Sequence, residues 1–390
     1  MRFGIVVGEA SGDLLGAGLI AEIKRQYPDA TFEGIAGPLM QKMGARSLYP
    51  MERLAVMGIV EILGRYRELS AMRKNLIKHF CSNPPDVFIG VDSPEFNIHI
   101  AQKLREAGIK TVQYVSPQVW AWRQYRVKKI AQAVDLMLTL FPFEEEFYAS
   151  RSVTVRCVGH PLADAIPMHP DKSVARENLK IPPDKEVVAL LPGSRGVEVH
   201  YLAEVFIQAA QWCLDRRPNL FFVAPLANES RRKQFEQALY RKGSSLPIKL
   251  VTGNSREVMT AADVVVLASG TATLEGMLLK KPLVVAYKLS QMSYFIFKFL
   301  SQVSHYALPN LLARKPLVPE LIQHNATPEK IGKEVLAYFH DPEKVATLQL
   351  EFEAIHNTLR KNASHQAAEA VIELAKDKNK HNATTQPQYG

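Results

Sequence analysis

Residues 264–275 read VVVLASGTATLE, in which five apolar residues run directly into a turn of small residues. The pattern predicts a buried strand followed by a helix. Such a turn, here Ser269, Gly270 and Thr271, leaves backbone N–H groups unpaired at the positive end of the helix, where a phosphate binds well. Glu275 lies one turn into the helix, and because Ala272 cannot cap, its carboxylate is available to a sugar diol. The alternative is an ordinary strand-to-helix connection with a surface glutamate.

A second segment has the same organisation. Residues 187–191 are an apolar strand that leads into Pro192-Gly193-Ser194-Arg195-Gly196, and a helical pattern begins near Val199. The guanidinium of Arg195 offers a planar set of donors that suits a diphosphate. Because open α/β sheets bind ligands at the carboxyl ends of their strands, we expect this turn to bind one. A solvated loop arginine is the alternative.

The composition is that of a soluble chain with two domains. Its 390 residues exceed a single core, and its start, MRFGIVVGEASGD, predicts a strand and a turn instead of a signal peptide, so we expect a cytoplasmic protein. The three cysteines are far apart and lack CxxC spacing, which indicates neither disulfides nor a zinc site. A net charge of +9 favours an anionic partner: nucleic acid, acidic lipid or a phosphorylated small molecule.

Apolar strands alternate with helical patterns along the chain, which predicts an α/β fold with parallel sheets covered on both faces. We expect strands at residues 3–7, 32–35, 87–91, 111–115, 136–140, 155–158, 187–191, 220–223, 248–251, 264–267 and 283–286. A proline-rich stretch interrupts the pattern between Pro161 and Pro183. The predicted organisation is two Rossmann-like domains facing a central crevice: domain 1–165, linker 166–185, domain 186–345, C-terminal helix 346–376 and disordered tail 377–390.

The first loop of the chain, Gly8-Glu9-Ala10-Ser11-Gly12-Asp13, follows the first predicted strand. It lacks the GxGxxG spacing of a dinucleotide site, and its two acids would repel a pyrophosphate. A hydroxyl-rich ligand suits the loop better. The alternative is a tight turn in which Ser11 or Asp13 caps the following helix.

Asp92 is the residue that we expect to be catalytic. It directly follows the strand at 87–91, so its carboxylate is predicted at the carboxyl edge of the sheet. Transfer of a sugar to an alcohol in one displacement needs one general base, and a carboxylate suits that role. The alternative is an Asx turn before Pro94.

Three further segments combine apolar or aromatic residues with basic ones. Trp120 and Trp122 precede Arg123, a combination that suits stacking on a sugar and binding of a phosphate, with half-buried packing as the alternative. Residues 54–80 form a basic amphipathic pattern, in which residues 54–74 are the first candidate for membrane contact, and residues 292–300 are aromatic nearly all round. Either segment is explained as a core helix, but with the positive charge they predict peripheral contact with a membrane.

The motifs GEASGD, VMGIVEILGR, DSPEFN, YVSPQVWAWR, LLPGSR, LASGTATLE and LPNLL, in this order, resemble those of the lipid-A-disaccharide synthase family. The resemblance covers residues 3–376 and implies an inverting glycosyltransferase of the two-domain GT-B kind. The implied reaction transfers 2,3-diacylglucosamine from its UDP conjugate to 2,3-diacylglucosamine 1-phosphate, giving a β-1,6-linked lipid A disaccharide 1-phosphate and UDP. The implied location is the inner face of the cytoplasmic membrane, with peripheral attachment.

The resemblance also implies site residues. In the first domain it implies Asp92 as the base, and from the loops described above we expect the acceptor to be bound by Gly8, Glu9, Ser11, Gly12, Asp13, Trp122 and Arg123. In the second domain it implies UDP-sugar contacts from Gly193, Ser194, Arg195, Ser269, Gly270, Thr271, Glu275 and Asn310. Glu95 stands where the family pattern often has a second Asp, which weakens a catalytic role for both acids.

Because no acidic pair of the DxD type lies near the predicted diphosphate loops, we expect Arg195 and helix dipoles to neutralise the leaving UDP without a metal or other cofactor. We expect no nucleic-acid partner, and a homodimer stays open. Two other functions remain as alternatives: a UDP-sugar 2-epimerase with the same layout, and a noncatalytic basic lipid-binding protein.

Overall fold

The computed structural model describes residues 1–54, 59–121, 124–242, 246–290, 294 and 305–383. The chain divides into two compact units. Unit 1 comprises residues 1–164 together with the segment that begins at Leu359, and unit 2 comprises residues 165–358.

Within the described residues, unit 1 contains a seven-stranded parallel sheet in the order β3-β2-β1-β4-β5-β6-β7. Its strands are β1 Arg2–Val7, β2 Thr31–Ile35, β3 Ala45–Ser47, β4 Val87–Val91, β5 Lys110–Tyr114, β6 Leu136–Thr139 and β7 Val155–Cys157. The strand order reverses between β1 and β4, which pair with Val7 opposite Val91 at their carboxyl ends. Every residue of β4 is buried because helices cover both faces of the sheet.

The described part of unit 2 contains a six-stranded parallel sheet in the order β10-β9-β8-β11-β12-β13. Its strands are β8 Glu186–Leu191, β9 Leu220–Leu226, β10 Ile248–Thr252, β11 Val264–Ala268, β12 Leu283–Tyr287 and β13 Glu320–Ile322. Here the order reverses between β8 and β11, where Leu191 pairs with Leu267.

The helices connect these strands and cover the sheets. In chain order they are α1 Ala10–Gln26, α2 Pro38–Lys42, α3 Ile59–Ser82, α4 Pro94–Glu106, α5 Val127–Ala133, α6 Pro142–Ala149, α7 Pro161–Ala165, α8 Lys172–Asn178, α9 Gly196–Leu214, α10 Glu229–Arg241, α11 Ser255–Ala261, α12 Thr271–Leu278, α13 Leu308–Ala313, α14 Pro328–His340, α15 Pro342–Leu359 and α16 Ala363–Ala383. Short 3-10 turns lie at Met51–Arg53, Gln124–Arg126 and Gln323–Asn325.

Each strand expected from the sequence is present, and the α/β prediction is confirmed. Strand β9 continues to Leu226, beyond the predicted end at Val223, because Pro225 still pairs with Val251 of β10. The structure adds β3 and β13, which the sequence analysis did not predict. Each is three residues long and only partly buried, so neither has the apolar run that signals a strand.

The chain returns to unit 1 at its C-terminal end. Helix α16 packs against α1 and buries Ala367, Val371 and Ile372 in the core of unit 1. The carboxylate of Asp164 accepts hydrogen bonds from the backbone N–H groups of Asn362 (2.8 Å) and Ala363 (2.7 Å), which fixes where the helix begins. Residues 377–383, expected in the polar tail, form the last turns of α16.

Replacement of Asp164 by Ala should lower the free energy of unfolding by about 1 kcal/mol, because two N–H groups at the start of α16 lose their acceptor. Urea unfolding and amide hydrogen exchange over residues 363–383 measure the effect. The control is Asp29→Ala, which changes an exposed acid in the turn after α1. Equal effects of the two replacements would show that Asp164 does not cap α16.

Candidate active site

In unit 1, two of the predicted loops meet at the point where the strand order reverses. Gly8 follows β1, Asp92 follows β4, and Gly8 lies directly against the side chain of Ser93. The carboxylate of Asp92 accepts hydrogen bonds from the side chain of Ser11 and the backbone of Ser93. This is the position at which open α/β sheets bind their ligands. The structure therefore brings Gly8, Ser11 and Asp92 together, with Gly12 buried beneath them and Glu9 exposed on the same loop.

The Asp92 carboxylate is half-buried at the end of an unusual turn. Both Asp92 (φ +53°) and Ser93 (φ +40°) adopt the left-handed conformation, which costs energy in residues with a side chain. Burial raises the pKa of Asp92 above its usual range, while the hydrogen bonds from Ser93 and Ser11 oppose the shift. A raised pKa makes the carboxylate a stronger base.

Two other acids of this region have partners of their own. Asp13 is buried, and its two carboxylate oxygens accept hydrogen bonds from the N–H groups of Leu39 (2.9 Å) and Met40 (3.0 Å) at the start of α2. The structure thus gives Asp13 a structural role, and its predicted contact with an acceptor stays a prediction. Glu95 is exposed and forms a bidentate ion pair with Arg126, with 2.8 Å between Arg126 Nη2 and Glu95 Oε2.

The loop after β5 joins the loop after β6 through a buried acid. Trp120 Nε1 donates to Glu144 Oε1 at 3.2 Å, and the Phe141 N–H donates to Glu144 Oε2 at 3.1 Å. Burial raises the pKa of Glu144 to about 7, against the opposing effect of these hydrogen bonds. The predicted acceptor-binding residues Trp122 and Arg123 lie outside the described residues.

In unit 2, the two predicted phosphate turns also follow the strands between which the order reverses. Gly193, Ser194 and Arg195 follow β8, and Ser194 and Arg195 are exposed. The backbone N–H groups of Ser194 and Arg195 are not unpaired, however, because Glu198 Oε2 accepts from them at 3.0 and 3.1 Å. A carboxylate of the chain itself therefore occupies the donors predicted for a diphosphate.

The turn after β11 is stabilised from within. Ser269 Oγ donates to the carbonyl of Tyr306 at 3.3 Å, and Thr273 Oγ1 donates to the carbonyl of Gly270 at 2.7 Å. Gly270 and Thr271 are exposed at the start of α12. Glu275 is partly buried and lies 3.6 Å from Arg256 Nε, so its carboxylate is paired with a cation.

Asn310 is buried, and its side chain is fully used within unit 2. Its Oδ1 accepts from the N–H groups of Leu317 (2.8 Å) and Val318 (2.9 Å), and its Nδ2 donates to the Val318 carbonyl (2.9 Å) and Glu320 Oε1 (2.8 Å). An amide has two donors and two acceptor positions, so a direct nucleotide contact would break one of these bonds. The structure gives Asn310 the role of shaping residues 317–320, and the nucleotide contact stays a prediction.

Sequence reasoning missed three kinds of residue at these edges. Glu198 stands three residues after Arg195, which is the spacing of a capping box. That spacing could have predicted that its carboxylate binds the backbone of the turn. Tyr287 ends β12 close to both of them: burial and Glu198 raise the pKa of its phenol, and Arg195 opposes the shift. Asn97 and Gln113 donate hydrogen bonds to the backbone carbonyl of Asp92, and no sequence pattern predicted either contact.

The sequence model of the lipid-A-disaccharide synthetase family matches residues 3–373. A lipid-A-disaccharide synthase of Hahella chejuensis is 56% identical over 374 residues, covering 96% of this chain and 94% of the relative. The enzyme of that name from Cellvibrio japonicus is 51% identical over 376 residues, covering 96% and 98%. The chain belongs to the lipid-A-disaccharide synthase family. The predicted family and the prediction of a glycosyltransferase are therefore confirmed.

Solved structures agree with the fold prediction at low sequence identity. The UDP-GlcNAc 2-epimerase of Neisseria meningitidis, bound to UDP-GlcNAc, has a TM-score of 0.61 at 14% identity and covers 97% of this chain and all of its own. The calicheamicin glycosyltransferase CalG4 has a TM-score of 0.61 at 13% identity, with 96% and 98% coverage. At these identities the likeness shows the two-domain GT-B fold alone. The family relatives do not favour the epimerase or the noncatalytic lipid-binding alternative.

Replacement of Glu198 by Gln should tighten UDP binding about fivefold, because the amide keeps an acceptor for the turn but removes a negative charge that competes with the diphosphate. Isothermal titration with UDP measures the affinity. The matched control is Glu204→Gln on the same helix, where the carboxylate pairs with Arg241 and Lys242 at 3.0 Å each. Weaker UDP binding in Glu198→Gln would show that the diphosphate does not replace this carboxylate.

Proposed function

We propose that this chain transfers 2,3-diacylglucosamine from UDP-2,3-diacylglucosamine to 2,3-diacylglucosamine 1-phosphate and releases UDP. Membership in the family supports the reaction, and one structural observation carries the assignment of residues. In each unit, two of the loops predicted to be functional follow the two strands at which the strand order reverses. We assign the acceptor to unit 1 and the donor to unit 2.

The chemistry at unit 1 is that of a general base. The Asp92 carboxylate takes the proton of the acceptor 6-hydroxyl, and the hydroxyl oxygen forms a bond to C1 of the donor sugar as the bond from C1 to the UDP oxygen breaks. One displacement of an α-linked donor inverts C1 and gives the β-1,6 product. Ser11 and the Ser93 N–H keep the carboxylate in one orientation, and such a base contributes roughly 100- to 10,000-fold to the rate.

The chemistry at unit 2 is that of an anion site. Negative charge grows on the diphosphate as it leaves, and the exposed Arg195 guanidinium and the start of α12 stabilise that charge. Glu275, held near Arg256, accepts from the ribose hydroxyls. In the described part of the chain, no group of three or more His, Cys, Asp or Glu could hold a metal ion.

The deciding experiment incubates the purified protein with UDP-2,3-diacylglucosamine, with and without the monosaccharide 1-phosphate, in the presence of a chelator. The disaccharide 1-phosphate and UDP should form in equal amounts, and only with the acceptor. Epimerised UDP-sugar without an acceptor would support the epimerase instead, and no product with either mixture would refute a transferase.

Replacement of Asp92 by Asn should lower kcat by about 100-fold or more while leaving the Kd for UDP unchanged, because it removes the base and no nucleotide contact. Steady-state kinetics and UDP titration separate the two quantities. The matched control is Glu95→Gln, which changes the exposed acid three residues away and should retain most activity. Near-normal turnover in Asp92→Asn would refute the assignment of the base.

We propose that the protein also attaches reversibly to a membrane surface through residues 54–74. Both proposed substrates carry acyl chains, which prefer a bilayer. Helix α3 exposes Arg67, Lys74 and Lys78, whereas Met72 and Leu76 on the same helix are buried in unit 1. Residues 55–58 and the side chains of 59–64 lie outside the described residues, as does most of the second expected segment, 292–300. No helix within the described residues is both long and apolar enough to cross a bilayer.

Joint replacement of Ile59, Ile62 and Leu63 by Ser should reduce binding to anionic vesicles and activity on acylated substrates, because the apolar side chains that insert into the bilayer are lost. The basic residues remain, and each contributes about 1 kcal/mol of binding free energy near an anionic surface. UDP affinity and thermal stability should not change. Leu350→Ser, an exposed apolar residue of unit 2, controls for lost surface hydrophobicity. Instability like that of the buried Met72→Ser would identify this face of α3 as core.

A further inference from the structure

The turn at Asp92 is held from the inside of unit 1. The Asp92 N–H donates to the Tyr114 carbonyl at 2.9 Å as the last ladder bond of β4, and Pro94 already begins α4 two residues later. The chain reverses within Asp92 and Ser93, both left-handed. This reversal turns the Asp92 carbonyl inward, where it needs hydrogen-bond donors.

Two buried amides supply those donors. Asn97 Nδ2 and Gln113 Nε2 each lie 2.9 Å from the Asp92 carbonyl oxygen, and both residues have no exposed surface. Asn97 Nδ2 also lies 3.3 Å from the Val6 carbonyl, and Gln113 Nε2 lies 3.3 Å from the Val115 carbonyl. Because carbonyl oxygens surround this position, only the N–H side of each amide fits there.

Gly90 makes room for both amides. It pairs with Gln113 across the β4–β5 ladder. A Cβ on Gly90 would lie 2.7 Å from both Asn97 Cβ and Gln113 Oε1, closer than real Cβ atoms approach. The missing side chain of Gly90 is therefore a condition for the amides to reach the Asp92 carbonyl.

The amides carry a cost that aliphatic side chains would avoid. Asn97 Oδ1 and Gln113 Oε1 are buried and have no hydrogen-bond partner in the described part of the chain. A buried unpaired oxygen destabilises a fold, so the core alone gives no reason to place amides here. The reason for amides at these positions is that their N–H groups donate to the Asp92 carbonyl.

We propose that Asn97 and Gln113 are positioning residues for Asp92: their N–H groups hold its main-chain carbonyl and so fix the left-handed turn that presents its carboxylate to Ser11. The inference rests on the proposed role of Asp92 as the general base. Asn97 and Gln113 contact no substrate and act through Asp92 alone.

Gln113→Leu tests the inference most sharply, since Leu keeps the volume and removes both the donor and the unpaired oxygen. The variant should unfold at or above the wild-type temperature and bind UDP as the wild type does. Its kcat should fall about tenfold, because a misplaced catalytic group costs rate without costing stability. Asn97→Leu should do the same. Gly90→Ala should also lower kcat, by displacing both amides, but it should lower the unfolding temperature as well because its Cβ crowds them.

Thr111→Val is the matched control. Thr111 is buried two residues before Gln113 on the same face of β5, and its hydroxyl donates to the Ala133 carbonyl at 2.9 Å. It should lower the unfolding temperature and leave kcat unchanged. Gln113→Leu should show the opposite pattern, with an unfolding temperature at or above that of the wild type and a lower kcat. That difference distinguishes a positioning residue from one that only supports the fold.

A double-mutant cycle supplies the second readout. In the Asp92→Asn background, Gln113→Leu should reduce the residual turnover by less than about twofold, because the group that it positions is already gone. A kcat for Gln113→Leu within about twofold of wild type, or the same loss in both backgrounds, overturns the inference. Wild-type protein that makes no disaccharide would instead refute the proposed function, so the two failures are distinguishable.

Discussion

The reversal of strand order in each parallel sheet is the constraint on which the rest of the structure depends. After β1 and β8 the chain continues to a strand on one side of the sheet, and after the neighbouring β4 and β11 it continues to a strand on the other side. Two loops then stand side by side at the carboxyl edge with open space above them. Asp92 and Ser11 lie at one such point, and Arg195 and Thr271 follow the strands of the other.

A loop at this position must be exposed to ligand and yet rigid, and the two units meet that demand differently. In unit 1 the strained turn at Asp92 is supported from the core by the buried amides of Asn97 and Gln113. In unit 2 the turn after β8 is stabilised at its surface by Glu198, a carboxylate that we expect a diphosphate to replace. The first arrangement suits a fixed base, and the second suits an anion that must arrive and leave.

The fold was predictable from the sequence because buried parallel strands are continuous apolar runs, such as Val264 to Leu267. The position of Asp92 was predictable because it directly follows such a run, and that of Arg195 because it lies in the turn that follows residues 187–191. The roles of Asp13 and Asn310 were not, because their hydrogen-bond partners lie in other segments: Leu39 and Met40 for Asp13, and residues 317–320 for Asn310. No local spacing rule shows which polar residues the folded chain will use internally.

The central claim is that Asp92 is a base whose surroundings set its proton affinity. The pH dependence of kcat/KM for the wild type and for Ser11→Ala tests that claim most directly. Burial raises the pKa of Asp92, so we predict that the rate is lost as pH falls through a value above the ordinary 3.8. The Ser11 hydroxyl lowers that pKa, so its removal should move the acid limb to higher pH. An acid limb at the same pH in both proteins would contradict the claim.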